Sequence, residues 1–281
     1  MAGLFSGMGE FGLDRLSSEL EVYEKATEET KSEAEAQVKQ IQETDYIFDK
    51  TMVCPVCDQN FKTKTMKAGK VKLLSMDIDL RPKYQEVDSL KYDAIVCPAC
   101  GYAALRKFYN MVTNGQIRAI KEKISVNFKG INQELETYTY DDAIARHKLA
   151  LVNAIVKNAK DSERAYICLK TAWLIRGKRE TLPEDTPNYE EEKRKLQEEE
   201  YQFLEKAYHG FKMAFPKELF PMCGMDEDTC TYLVAELARR SGEFDDASRW
   251  ISKLLVSRTA NDRIKEKGRD VKELIRAGRT D

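Results

Sequence analysis

The chain carries CPVC at Cys54–Cys57 and CPACG at Cys97–Gly101, two Cys-x-x-Cys pairs with 39 residues between them. Each short turn points two sulfurs inward, so two pairs together can set four thiolates at tetrahedral corners about 2.3 Å from one Zn²⁺. Pro55 and Pro98 stiffen the turns and Gly101 permits a tight backbone after the second, whereas Asp58 stands at the matching place after the first. Such a site supplies on the order of 10–16 kcal/mol of binding free energy, enough to organise a small sheet with little core. The rival chemistry is a redox dithiol, suggested where a Cys-x-x-Cys adjoins a βαβ unit. No βαβ pattern is visible, and two matched pairs favour one shared metal. A shell of four cysteines leaves no open position for water, so the expected ion is structural, one Zn²⁺ per chain held by Cys54, Cys57, Cys97 and Cys100.

Other reactive side chains form no comparable pattern. Cys168, Cys223 and Cys230 are widely spaced and read as small buried residues. Of the two histidines, His147 falls in a helix-packing slot and His209 on a charged helix, which leaves little for acid–base chemistry. Asp77, Asp79 and Asp93 cluster in sequence before the second cysteine pair and form a candidate carboxylate site without a defined geometry. Lys62, Lys64, Lys67, Lys70 and Lys72 make a basic run near Phe61 and Tyr84, suited to phosphates and base stacking, or to guarding a sheet edge against aggregation. No P-loop or dinucleotide-type glycine motif is present.

The elements that must hold these residues change along the chain. Residues 1–48 form an acidic N-terminal extension with a long polar helix over 13–43, where Leu13, Leu20, Thr27, Ala34 and Ile41 repeat at heptad spacing. Residues 49–130 read as a β module: Phe61, Thr63 and Thr65 alternate, as do Val71 and Leu73, around a turn at Ala68–Gly69, which predicts a lysine-rich hairpin. Tyr92–Val96 is another β-prone run, and from AALRKFYNMV after Gly101 the pattern is read as helical.

Residues 131–281 show an internal echo. YDDAIARHKLAL at 140–151 and FDDASRWISKLL at 244–255 share an aromatic residue, two acids and an alanine, 104 residues apart, close to three periods of about 34 residues. Ala207, Phe211 and Ala214 match Ala143, His147 and Ala150 between them. Helices are predicted over 162–176 and 226–240, a charged insertion near 177–200, and a C-terminal capping helix over 261–278. The predicted class is α+β and mostly α: a small four-cysteine zinc-bound β module followed by a tetratricopeptide-like helical solenoid.

Charge is balanced overall, with 46 Lys/Arg against 48 Asp/Glu, but segregated. Residues 1–50 carry 5 basic against 12 acidic side chains, and residues 51–130 carry 14 against 7, so the cysteine-bearing segment is the basic one. The first residues lack a cationic, apolar leader and no run reaches membrane-span length, which predicts a cytoplasmic chain without a membrane span. Seven cysteines in a reducing compartment point to metal binding rather than a disulfide framework.

The blocks MDIDLRPKYQEVDSLKYDAIVCPACGYAALRKFY, CPVCDQNFKTK, SERAYICLKTAWLIR and FPMCGMDEDTCTYLVAELARR resemble the bacterial DUF2225 family of uncharacterised proteins. The resemblance covers roughly residues 45–275. It implies a zinc-binding N-terminal part, with the paired cysteines at Cys54, Cys57, Cys97 and Cys100, followed by tetratricopeptide-like helices in a cytoplasmic bacterial protein, and it implies no activity. The functional expectation is an interaction protein whose helical groove binds a protein or peptide segment through Lys170, Trp173, Arg176 and Arg239. The alternatives are nucleic-acid binding by the basic module and, last, an enzyme using the clustered carboxylates.

Overall fold

A computed structural model describes residues 42–278; most of the helix expected over 13–43 lies outside the described residues. Three antiparallel two-stranded sheets come first: β1 (Ile47–Val53) with β2 (Asn60–Met66), β3 (Leu73–Met76) with β4 (Pro82–Tyr84), and β5 (Ala94–Val96) with β6 (Ala103–Leu105). Two of these sheets are built alike. Val53 pairs with Asn60 and Val96 with Ala103, so each Cys-x-x-Cys sits in the six-residue loop of its own hairpin.

Two sequence expectations are corrected here. Phe61–Thr65 alternates as expected, with Phe61 and Thr63 buried and Lys62 exposed, but β2 pairs backward with β1 rather than forward across Ala68–Gly69. A turn does form there, with Gly69 at φ 72°, yet it leads into β3, which pairs with β4. The lysine run is therefore split between one hairpin and a connection. AAL after Gly101 is strand β6 rather than helix: the second loop returns the chain alongside Ala94–Val96, and this pairing overrides the helical propensity of alanine and leucine.

Seven α-helices follow: α1 (Asn114–Ile120), α2 (Tyr140–Val156), α3 (Asp161–Glu180), α4 (Tyr189–Ala214), α5 (Glu227–Arg240), α6 (Phe244–Val256) and α7 (Asp262–Ala277). The starts of α1, α2, α5 and α7 are set by side chains that accept from the unpaired N–H groups of the first turn. Thr139 and Asp142 form a reciprocal capping box, Asp226 accepts from Thr229 N, and Asn261 accepts from Ile264 N. Helix α3 is buried on nearly all sides, from Ser162 and Ala165 through Trp173 to Gly177, as a central helix must be. Each helix from α2 onward packs on the next, and α5 also meets α7.

The charged stretch near 177–200 is mostly helical. It comprises the end of α3, the loop 181–188 and the first half of α4, where Leu196 and Glu200 are already buried. The six residues matched in sequence, Ala143, His147, Ala150, Ala207, Phe211 and Ala214, are all buried. None of the helices among the described residues is long and apolar enough to cross a membrane.

Helix α2 joins the two halves. Its Ala150 and Ala154 pack beneath Ala94, Val96, Ala103 and Leu105, and the small side chains let the helix lie close to the β5–β6 hairpin.

Candidate metal centre

The two knuckles share one backbone design. After Cys54 the chain turns so that Asp58 N donates to Cys54 O at 2.9 Å; after Cys97, Gly101 N donates to Cys97 O at 3.0 Å. The residue that closes each turn is left-handed, Asp58 at φ 59° and Gly101 at φ 72°. Aspartate tolerates this conformation with strain that glycine avoids. At Gly101 a second constraint acts, because a Cβ would lie 2.5 Å from the Phe128 ring. Asn153 of α2 donates to Gly101 O at 3.0 Å, which fixes the second knuckle to the helical body.

The four sulfurs converge. Cys54 and Cys100 lie 3.6 Å apart, Cys57 and Cys97 also 3.6 Å, and all four within 4.8 Å of one another. A tetrahedron with metal–sulfur bonds of about 2.3 Å has edges of about 3.8 Å, so the set fits one four-coordinate metal ion. The separations are far beyond the S–S bond of about 2.05 Å, and all four are free cysteines. Cys54, Cys97 and Cys100 are buried and Cys57 half-buried. Val56 N points at Cys54 Sγ at 3.4 Å, a donor that favours thiolate. Hydrogen bonding with Cys100 and then Cys97 pulls the Cys54 thiol down to about 2, while the contact with Cys54 pushes Cys100 upward. Such mutual dependence of crowded sulfurs is what a cation relieves, by letting all four ionise. No other group of metal-ligating residues converges among the described residues.

The surrounding core is aromatic. Tyr102 donates to Tyr109 O at 2.7 Å, and the two rings lie 5.0 Å apart beside Phe61, Ile95 and Ile120. A family model described as an uncharacterised protein conserved in bacteria, DUF2225, matches residues 47–275. The chain belongs to DUF2225. The matched span of this DUF2225 chain takes in both knuckles and most of the helical body, and the chain matches no curated protein and no solved structure.

The remaining sequence candidates are placed as follows in this DUF2225 fold. Lys64 pairs with Asp49 at 2.9 Å and Lys67 donates to Asp45 O at 2.9 Å, whereas Lys62, Lys70 and Lys72 are exposed. Trp173 and Arg176 are both buried. They hold the chain's own segment between β3 and β4. Arg176 donates to Asp79 Oδ2 at 2.6 Å and Oδ1 at 3.0 Å, to Asp77 at 3.1 Å and to Glu200 at 2.7 Å, and Trp173 Nε1 donates to Asp79 at 3.1 Å. Arg179 adds a second bond to Glu200, and Tyr232 of α5 donates to Ile78 O at 2.7 Å. Lys170 pairs with Asp93 at 2.5 Å, and Arg239 with Glu236 at 2.8 Å.

These contacts also occupy the carboxylates. Burial pushes Asp79 up, but the Arg176 hydrogen bonds and the charges of Arg176 and Arg240 outweigh it, so its carboxyl lies below the usual range. Asp93 behaves the same way, burial being outweighed by Lys170. Asp77 and Asp79 share one guanidinium and Asp93 binds a different cation, so the three do not form one converging site. Sequence reasoning offered Asp79 only as one of three candidate carboxylates, assigned Arg81 no role and missed Glu200 and Asn153. The available signal for the first was a run of acids and an arginine, unusual in a segment between short strands; the other two sit in helices whose pattern shows only their spacing.

Proposed function

We propose that this chain is a non-enzymatic interaction protein, in which a structural Zn²⁺ on Cys54, Cys57, Cys97 and Cys100 shapes a β module that, with the helical body, binds a protein or peptide segment. The observation that carries the interaction reading is strand β3. All four of its residues are exposed, Leu74 at 64 %, and Leu73 and Met76 with Ile78 just beyond extend the apolar surface. Its edge away from β4 has no partner strand among the described residues. An apolar strand with a free edge is the surface to which an extended segment adds as a further strand. The buried register shared by Ala143, His147, Ala150 and Ala207, Phe211, Ala214 supports a tetratricopeptide-like body behind it.

Zinc is favoured over other ions because four thiolates in a closed tetrahedron suit it and leave no catalytic position. A reducing, cytoplasmic compartment suits a site built from thiolates. Purified protein is expected to hold one zinc per chain, and Cys97→Ser to lose it; full metal content in that variant removes the four-cysteine site. For the interaction, crosslinked capture from the native cell compares the wild type with Leu74→Asp/Met76→Asp. Partners that vanish with the double substitution support β3 as the surface, and an unchanged partner set removes it.

A second reading, nucleic-acid binding, is favoured by Lys62, Lys70 and Lys72, which are exposed and whose side chains make no ion pair or hydrogen bond among the described residues. Binding through them requires affinity to fall with salt at a log–log slope of about −0.9 per phosphate contact. Salt-insensitive association with single- and double-stranded RNA and DNA removes that reading.

A further inference from the structure

A cleft of about 440 Å³ opens between the segment after β6, the start of α3 and the connection from α4 to α5. The interaction surface on β3 does not use it. Its size lies within the range of about 300–1,000 Å³ typical of small-molecule sites. Phe108, Met111, Leu219, Pro221 and Met222 give it an apolar lining, and Leu219 stands 91 % exposed at the rim.

One wall is a tight turn. Met222 and Met225 exchange both backbone hydrogen bonds, at 2.8 and 2.9 Å, across Cys223 and Gly224, which are both left-handed at φ 50° and 85°. Two consecutive residues at positive φ are the signature of a two-residue hairpin turn. Cys223 Sγ also donates to Ser162 O at 3.3 Å, tying the turn to the first turn of α3.

The charges around the cleft are unequally used. Glu218 accepts from Ser162 N at 3.0 Å and Ser162 Oγ at 2.5 Å, and Glu163 pairs with buried Lys157 at 2.7 Å. Both carboxylates are thus committed within the protein. The side chains of the two lysines of the lining, Lys107 and Lys160, make neither an ion pair nor a hydrogen bond among the described residues. Lys107 Nζ is held at the wall: a Cβ built on Gly224 would lie only 2.3 Å from it, so glycine leaves the space that the ammonium takes. What remains for a ligand is an apolar cavity with cationic groups and no free carboxylate facing them.

We infer that this cleft binds a small organic anion, a carboxylate on an apolar body, with the body between Phe108 and Met222 and the carboxylate toward Lys107 and Lys160. The two lysines of the lining select against a cationic head, and the apolar walls against a bare inorganic anion.

Three probes of one shape and different heads test this: phenylacetate, phenylacetamide and phenethylamine, titrated into isotope-labelled full-length protein while the amide signals of Ser162, Met222 and Gly224 are followed. Phenylacetate is expected to bind at these amides more tightly than the amide analogue by roughly fivefold for each lysine engaged, with the amine weakest. Lys107→Met/Lys160→Met is expected to bring the three probes together without changing the melting temperature, because both side chains are exposed. Equal binding of the three probes by the wild type overturns the proposal, as does preference for the amine. Absence of shifts at these amides up to about 10 mM probe also overturns it. Leu219→Ser, which removes only rim apolar surface, is expected to weaken all three alike; an unchanged response there places the probes elsewhere and equally overturns the site.

Discussion

Replacing Asp79 with Ala removes a fully buried carboxylate that accepts three hydrogen bonds, two from Arg176 and one from Trp173 Nε1. Arg176 keeps Glu200 and Asp77, but its guanidinium loses the bidentate partner that balances its burial, and the indole N–H loses its acceptor. Breaking one side of a buried pair costs about 3–5 kcal/mol, because the surviving charge stays desolvated. Against a total stability of about 5–15 kcal/mol this is a large fraction. With a urea dependence of about 3 kcal/mol per molar, the unfolding midpoint is expected to fall by about 1–1.7 M. Circular dichroism at 222 nm follows the helices through that transition. The partner change Arg176→Met should cost a similar amount, and the double variant less than the sum of the two, since it leaves no orphaned pair. A midpoint for Asp79→Ala within about 0.2 M of the wild type would refute the reasoning, since surface substitutions alone shift stability by up to about 0.5 kcal/mol.

Other outcomes follow from the same contacts. Gly101→Ala meets both a left-handed backbone and the Phe128 ring, so it is expected to lower the melting temperature and weaken zinc retention against a chelator, whereas Asp58→Gly should raise stability by up to about 1 kcal/mol. His147 is fully buried, donates Nδ1–H to Ala143 O at 2.8 Å, and is pushed down to about 4 by burial, against the charge of Asp93 and with that of Lys170. Its unfolded value is about 6.5, so the unfolded chain takes up the proton first. Its contribution is complete above pH about 6.5 and is lost as pH falls toward 4, up to about 3 kcal/mol. His147→Phe is expected to flatten the stability–pH curve over that window, leaving the acid limb to Asp79 and Asp93 at lower pH; an unaltered slope between pH 6.5 and 4 would show that His147 does not titrate there. Asn153→Ala, which leaves Gly101 O without its donor, is expected to cost about 1–3 kcal/mol and to lower zinc affinity, measured by competition with a chromophoric chelator.

The four-cysteine cluster was legible because its information is local: two Cys-x-x-Cys pairs at fixed spacing can converge on one point, and the left-handed residue after each pair shows as Gly101 or, less plainly, as Asp58. Helices α3 and α5 were legible from apolar spacing, and α7 as the helix that ends the stack; the structure adds the caps at Asp226 and Asn261. Strand pairing was not. Residues 61–65 alternate equally well whichever neighbour they join, and only the closure of the loop around Cys54 and Cys57 selects β1. Ala103–Leu105 carries a helical composition that the second loop overrules. Lys170, Trp173 and Arg176 were picked out as polar and aromatic residues on one helix; that the chain itself supplies them with partners 77 to 99 residues away is a long-range fact that spacing does not contain.

The passage of Asp77–Arg81 across α3, where Arg176 and Glu180 hold it, to Tyr232 of α5 bears on how the molecule unfolds. A segment placed between two short strands early in the chain finds its acceptors and donors in helices that come about one hundred residues later and more. Cutting the chain near residue 130 would therefore strand a buried aspartate on one fragment and a buried arginine on the other. Neither half is a free-standing module in the thermodynamic sense. Residues 43–278 should melt in one cooperative step, and stripping any ion held by the four cysteines should lower the temperature of that single step rather than release a small independent transition.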